Sequence, residues 1–257
     1  MKALLRWLAV TTTALLATTA HADPTPAPLD IYLLMGQSNM AGRDTRDLGA
    51  QVDDPHVLAL NAEGQWVVAR DPIHAKTGRI EPGVGPGIAF ARELLRGDAT
   101  RSIGLIPTAV GGTPLRRWVK GGDLYERAVA RAREASARGV IRGVLWHQGE
   151  ADAEKPATAA SYGARLAKMF QDLRQDLGQP DLPIVVGEIG EFTSPQRLPE
   201  AATVRDAQRH MPEVLPHVGL ASSDGLVHLG DELHFSADSA RELGRRFAHA
   251  MQTLQMR

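Results

Sequence analysis

The sequence predicts an α/β protein built on a parallel sheet with helices on both faces. Two observations carry this expectation. Short apolar runs of strand length alternate along the chain with longer stretches of helical periodicity. Right-handed crossovers between successive parallel strands then place the connecting helices on the two faces of the sheet. A third observation sets where chemistry belongs: several of the apolar runs end in polar, glycine-punctuated loops, at the carboxyl edge where such sheets gather their functional groups.

The elements follow in order. Asp30 to Gly36 (DIYLLMG) is an apolar run closed by glycine and reads as a buried strand. Residues 44 to 83 are less regular, with a small hairpin expected around Asn61 to Val68. Gly87 to Arg96 puts Ile88, Phe90, Ala91, Leu94 and Leu95 on one helical face. Ile103 to Ala109 is a second strand, and Leu124 to Arg138 a helix rich in Ala and Arg. Val140 to His147 is a third strand, followed by a helix over Ala159 to Leu177. Pro183 to Ile189 is a fourth strand, and His217 to Ala221 a weaker fifth. Ser236 to Gln255 is the last helix, with Ser236 as its N-cap. No internal repeat or second boundary is visible, so residues 30–257 read as one domain.

The chain begins differently. Met1 to Ala22 carries Lys2 and Arg6, then the apolar run Trp7 to Ala20, then Ala20-His21-Ala22. That is the pattern of a secretory leader cleaved before Asp23. The apolar stretch is too short to span a bilayer well. Residues 23–29, starting DPTPAP, read as a short extended linker. The mature protein is therefore expected to be secreted or periplasmic and free of the membrane.

Composition removes several function classes. With 257 residues the chain can bury a large core. It has 30 acidic and 29 basic residues, a formal charge of −1. There is no basic excess to displace phosphate counterions, so nucleic acid is not an expected partner. The absence of cysteine excludes disulfides, a thiolate nucleophile and cysteine-held metal.

The loops after the strands supply the chemistry. Gly36-Gln37-Ser38-Asn39-Met40 follows the first strand, and Gly111-Gly112-Thr113 follows the second, with Arg116, Arg117 and Trp118 close behind. His147-Gln148-Gly149-Glu150 follows the third, with Asp152 nearby, and Asp231-Glu232-Leu233-His234 precedes the last helix. A hydroxyl, glycine amides, a carboxamide, an imidazole and a carboxylate on one edge are the groups that acyl transfer needs.

In this order and spacing, GQSNM, GGT, HQGE and DxxH resemble the blocks of the SGNH hydrolase superfamily. The similarity is to its branch of sialate O-acetylesterase-like proteins and family-six carbohydrate esterases, which include acetylxylan esterases. The Gly85-Pro86-Gly87 stretch leading into a helix is also similar. The resemblance covers nearly the whole mature chain. It implies a three-layer α/β/α sandwich with a five-stranded parallel, flavodoxin-like sheet. It also implies deacetylation of sugar esters, with an acetylated saccharide as substrate and no metal or other cofactor.

Ser38, directly after the first strand, is the candidate nucleophile, and its own N–H a candidate oxyanion donor. No G-x-S-x-G elbow is present, because Met40 stands two residues after the serine. His234 is the candidate general base. Asp231, three residues earlier, can hold its Nδ1 and leave Nε2 for the serine. Asp224 is the second choice for that carboxylate. His228, Asp231 and His234 also spell H-x-x-D-x-x-H. Two histidines six apart do not share a helix face, and a metal there would leave Ser38 without a base.

Gly112 and the Gln148 side chain complete the expected oxyanion hole; Gly111 stays open as the alternative to Gly112. Arg116, Trp118 and Glu150 are candidates for saccharide binding, Trp118 by stacking and an arginine by bonding to hydroxyls. His147 and Glu150 can instead brace the loop, and Glu150 can pair with Arg116 or Arg117. Two other functions fit the same groups, an ester hydrolase of this superfamily acting on lipid and an inactive glycan-binding module.

Overall fold

A computed structural model describes residues 28–48, 51–78, 81–96, 98 and 100–256. The expected leader and nearly all of the linker lie outside the described residues. Seven strands form one sheet: β1 (Leu29–Gly36), β2 (Val57–Leu60), β3 (Trp66–Val68), β4 (Ile103–Pro107), β5 (Gly139–His147), β6 (Ile184–Gly187) and β7 (Val218–Ala221). Their order is β3-β2-β4-β1-β5-β6-β7. Every neighbouring pair is parallel except β2 with β3, which is antiparallel.

The sheet is thus wider than the five strands expected. The hairpin anticipated at Asn61 to Val68 begins earlier, at Val57, and its first strand joins β4 and extends the sheet. Its short strands, one with Val67 and Val68 exposed at the edge, give little apolar periodicity to read.

Among the described residues seven α-helices accompany the strands: α1 (Ser38–Ala41), α2 (Gly87–Leu94), α3 (Asp123–Ala135), α4 (Pro156–Ala160), α5 (Tyr162–Asp176), α6 (Ala201–Val214) and α7 (Ala237–Gln255). The helix expected over 159–177 is two helices. Between them the Ser161 hydroxyl donates to the Ala157 carbonyl 3.0 Å away, a back-bond that bends helices. The apolar pattern of the sequence does not mark α6. Its buried positions are Ala201, Val204, Gln208 and Met211, a stripe with few large apolar residues, and Pro212 sits in its last turn. Ser236 caps α7 as expected, accepting from the Ser239 N–H at 3.3 Å.

Alternation along β1 explains the layers. Ile31, Leu33 and Met35 face a core shared with α3, α5 and α6, through residues such as Val129, Phe170 and Met211. Tyr32 and Leu34 face the opposite core with α2 and α7, through Phe90, Leu243 and Phe247. Both faces of the strand are fully buried, which is why it reads as a continuous apolar run. Each such large side chain contributes about 1.5–3 kcal/mol of burial.

β1 is the centre of the order, with β4 on one side and β5 on the other. The chain places β2, β3 and then β4 on one side of β1, with β4 inserted last between β2 and β1, and β5, β6 and β7 successively outward on the other. At such a change of side, open α/β sheets hold their functional sites at the carboxyl ends of the strands. Gly36 seals β1, β4 and β5 together there. Its carbonyl accepts from Val110 N–H at 3.0 Å, and Gln37 N–H donates to His147 C=O at 2.9 Å. Gly36 has φ of 130°, and a Cβ on it would fall 2.0 Å from the His147 carbonyl oxygen. Gly36→Ala should therefore cost at least about 2 kcal/mol. A melting temperature lowered by about 4–8 °C is the expected reading.

His74 is a buried polar group with a pH signature. Neither ring nitrogen has a hydrogen-bond partner among the described residues. Burial, and then the charges of Arg43 and Arg127, push its pKa down to about 3. Below the ordinary histidine value the unfolded chain takes up a proton that the folded chain refuses. Stability from this group is complete above pH ~6.5 and lost as pH falls toward 3. Asp71, raised by burial to about 6, opposes this between its own two values. Comparison with His74→Gln isolates the histidine. Between pH 6 and 4 wild type should lose stability relative to that variant at close to 1.4 kcal/mol per pH unit (an order-of-magnitude slope), measured by denaturant unfolding.

Candidate active site

Four loops meet at the carboxyl edge. β1 ends in the tight Gly36–Gln37 turn and delivers Ser38 as the first residue of the one-turn helix α1. Met40 and Ala41 N–H groups fold back onto the Gln37 carbonyl at 3.1 and 3.0 Å and fix that turn. From the other end of the chain, the loop before α7 brings His234 to it. His234 Nε2 lies 3.1 Å from Ser38 Oγ, although the residues are 196 apart in sequence.

The Asp231–His234 turn is self-contained. Asp231 Oδ1 accepts from the Leu233 and His234 N–H groups at 3.0 and 2.8 Å. Asp231 Oδ2 accepts from His234 Nδ1 at 2.6 Å. That bond puts the ring proton on Nδ1 and leaves Nε2 as the acceptor for the Ser38 hydroxyl. Glu232, at the bend, adopts a left-handed φ of 56°, a strained state for a residue with a side chain. Burial pushes the Asp231 carboxyl up, but the His234 N–H, its ring and the Leu233 N–H outweigh this. The net effect holds Asp231 below its ordinary value. It stays an anion beside the imidazole.

Asn39, next to Ser38, joins three segments. Its Nδ2 donates to Glu150 Oε1 at 2.6 Å and to the Leu233 carbonyl at 3.1 Å. Its Oδ1 accepts from Phe235 N–H at 3.1 Å. The bonds to 233 and 235 bracket His234. Asn39 lies within GQSNM, and its clamping role is visible only in these contacts.

On the β4 side, the Gly111–Thr113 loop passes Ser38. Gly112 is exposed, has φ of 69°, and would accept a Cβ without contact. Gly111 would not, for its Cβ would fall 1.9 Å from Arg43 Nη2. Among the described residues the N–H groups of Ser38 and Gly112 have no hydrogen-bond partner. Both are therefore left available as donors on the two loops that meet at Ser38.

Four expectations need correction. Gln148 was expected to aim its amide at the oxyanion. It is fully buried, and Nε2 donates to Asp152 Oδ2 at 2.8 Å and to the Thr113 carbonyl at 3.2 Å. Both of its amide hydrogens are thereby used, so it braces the glycine loop against β5. Trp118 is fully buried, donates to Thr113 Oγ1 at 3.0 Å, and stacks edge-on with Trp146. It is core and offers no face to a sugar. Glu150 is 2% exposed and bonded to Asn39, so it does not reach a substrate. It pairs with neither arginine, since Arg117 bonds Asp123. Arg116 is exposed on a turn of 3₁₀ helix at Leu115–Arg117, and its guanidinium is free among the described residues.

The remaining candidates fall outside the reacting group. Asp224 is exposed and its nearest ionic neighbour is Arg209, 3.9 Å away. His228 Nδ1 accepts from the Gly230 and Glu232 N–H groups and so shapes the loop that carries Asp231. His147 is fully buried with Nε2 3.1 Å from the Glu188 carbonyl, and burial drives its pKa down. Asp152 is a buried hub that sequence reasoning did not single out. It accepts from Leu115 N–H, Gln148 and Arg165. A cavity of about 620 Å³ at the opposite, amino edge of the sheet, lined by Asp30, Tyr32, Arg101 and Gln179 among others, contains none of these groups.

Comparison with known proteins bears on this arrangement. Residues 28–253 match the family model described as carbohydrate esterase, sialic acid-specific acetylesterase. A probable carbohydrate esterase of Arabidopsis thaliana is 35% identical over 250 residues, which cover 89% of this chain and 92% of that protein. The X-ray structure of that Arabidopsis protein superimposes with a TM-score of 0.81 at 33% identity, covering 88% of this chain and 99% of the other. NanS shares the fold with a TM-score of 0.72 at 21% identity, covering 90% and 99%. So does a carbohydrate acetylesterase from Xanthomonas citri, with a TM-score of 0.65 at 22% identity, covering 88% of this chain and 56% of that one.

The geometry predicts an unequal division of labour. His234→Ala should lower kcat by about 10⁴–10⁶ and Asp231→Asn at least tenfold less, because the amide oxygen can still receive the loop N–H bonds. Asp224→Asn should leave kcat within about twofold of wild type. Steady-state kinetics on an acetate ester read all three. A loss in Asp224→Asn as large as in Asp231→Asn would reassign the carboxylate.

Proposed function

The chain belongs to the sialic acid-specific acetylesterase family of carbohydrate esterases and is a carboxylic ester hydrolase, and we propose that it removes O-acetyl groups from saccharides through nucleophilic attack by Ser38. The observation that carries this reading is the unbroken hydrogen-bond line Asp231–His234–Ser38, at 2.6 and 3.1 Å.

In this reading the Ser38 Oγ–carbonyl carbon bond forms as the hydroxyl proton passes to His234 Nε2. The carbonyl oxygen takes the negative charge, and the free N–H groups of Ser38 and Gly112 receive it. Asp231 stabilises the imidazolium. Collapse breaks the bond to the sugar oxygen, which leaves with the proton from His234. Water then attacks the acetyl-enzyme, giving its proton to His234, and acetate departs as the proton returns to Ser38 Oγ. No step calls on a metal.

The exposed Arg116 guanidinium, just past the Gly112 loop, is the group we assign to saccharide hydroxyls. We also propose that Met1 to Ala22 directs export and is removed, on the strength of its charged start, apolar run and Ala-x-Ala ending. The small acyl group is favoured over lipid esters because the chain has only 5% aromatic residues and no long apolar lid segment.

Acetate release from a panel of acetylated glycans, with wild type and Ser38→Ala, tests the reading. Ser38→Ala should fold normally and retain less than about a hundredth of wild-type turnover. A phosphonylating serine reagent should abolish activity, and EDTA should not. Faster turnover of 4-nitrophenyl octanoate than of the acetate would favour a lipid substrate instead.

A further inference from the structure

The oxyanion of ester cleavage carries a full negative charge, and backbone N–H groups answer it with partial charges only. A full positive charge stands beside the same loop. Arg43, just past α1, lays its guanidinium against Gly111. A Cβ on Gly111 would fall 1.9 Å from Arg43 Nη2 and 3.7 Å from Ser38 Cβ, so guanidinium, glycine loop and nucleophile meet around one point. Arg43 Nη1 donates to the Gly42 carbonyl at 2.7 Å, which anchors the side chain to its own turn. Nη2 is buried and has no hydrogen-bond partner among the described residues.

Among the described residues the charge is also without a close counter-ion. Burial weighs against the guanidinium, and Glu150 favours it electrostatically from beyond ion-pair distance. Glu150 Oε1 is itself taken by Asn39 at 2.6 Å. His74, on which the Arg43 charge acts, is held neutral by its burial and by that charge. A half-buried cation with no ion-pair partner, and with one guanidinium nitrogen sealed from water and unbonded, is costly. That cost falls when an anion forms nearby, and the reaction forms one beside Ser38. Gln148, with both amide hydrogens used elsewhere, does not supply the balance.

We propose that Arg43 is a positioning residue for ester cleavage: packed on Gly111, it holds the glycine loop with its N–H groups toward Ser38, and its unpaired charge favours the oxyanion over the neutral ester. It works through the Gly111 main chain and through its field, because Nη2 is out of reach of solvent. The proposal rests on Ser38 being the nucleophile.

Steady-state kinetics with 4-nitrophenyl acetate on Arg43→Met, Arg43→Gln and Arg43→Lys, run beside Ser38→Ala, test it. The uncharged variants should lose about 30- to 300-fold in kcat with KM within about twofold, since the interaction grows only as charge develops. Arg43→Lys should recover kcat to within about tenfold of wild type. Thermal melts identify a variant that fails to fold. Should Arg43→Met do so, the Lys and Gln pair decides, with Lys faster than Gln expected. Equal kcat in the charged and uncharged variants, or wild-type kcat in either uncharged one, overturns the role of Arg43. An active Ser38→Ala would instead overturn the reading beneath it.

Discussion

The amide of Asn39 is the contact on which the catalytic edge depends. A parallel sheet delivers its loops to one edge, but it does not lock a loop from residue 234 onto a turn at residue 38. Asn39 does so with a single side chain, donating to Leu233 and Glu150 and accepting from Phe235. A carboxamide has two donors and an acceptor, so one residue can hold both sides of His234 and reach the β5 loop as well. An aspartate could make no donation, and an aliphatic residue would leave Phe235 N–H buried and unpaired. The 3.1 Å approach of His234 to Ser38 follows from this clamp and from the Asp231 turn together.

Behind the reacting groups lies a second buried polar set. Asp152 takes Leu115 N–H, Gln148 and Arg165, and Thr113 receives Trp118 and Gln148. These bonds fix the glycine loop after β4 against β5, and so fix where the Gly112 N–H stands relative to Ser38. Low local dielectric strengthens such bonds and makes each missing one expensive. Main-chain donors held this way need no reorganisation as charge develops beside them, which is what the proposed reaction requires.

The sequence revealed what apolar pattern and loop chemistry can encode. β1 and β5 are long, buried on both faces and unmistakable; β2, β3 and α6 are short or weakly striped, and their formation depends on neighbours the pattern does not name. Ser38, Asp231 and His234 stood out through the loops they occupy and the resemblance of their blocks, and the fold brings the three into one hydrogen-bonded line. Trp118, Gln148 and Glu150 were legible as polar or aromatic groups near the edge, but not as inward-facing ones. A residue type does not state its rotamer, and burial makes scaffold of an expected oxyanion donor, Gln148, and of two expected saccharide contacts, Trp118 and Glu150. Arg43 gave no signal at all, for its meaning lies in a contact with Gly111 across 68 residues of chain.

A crystal structure of the protein after reaction with a phosphonylating ester analogue tests the central claim most directly. The account predicts phosphorus bonded to Ser38 Oγ, with its oxygen about 2.7–3.1 Å from the Ser38 and Gly112 nitrogens. His234 should remain on Asp231, and Gln148 on Asp152. Phosphorus on another residue, or its oxygen turned away from Gly112 onto a swung-out Gln148, would contradict it.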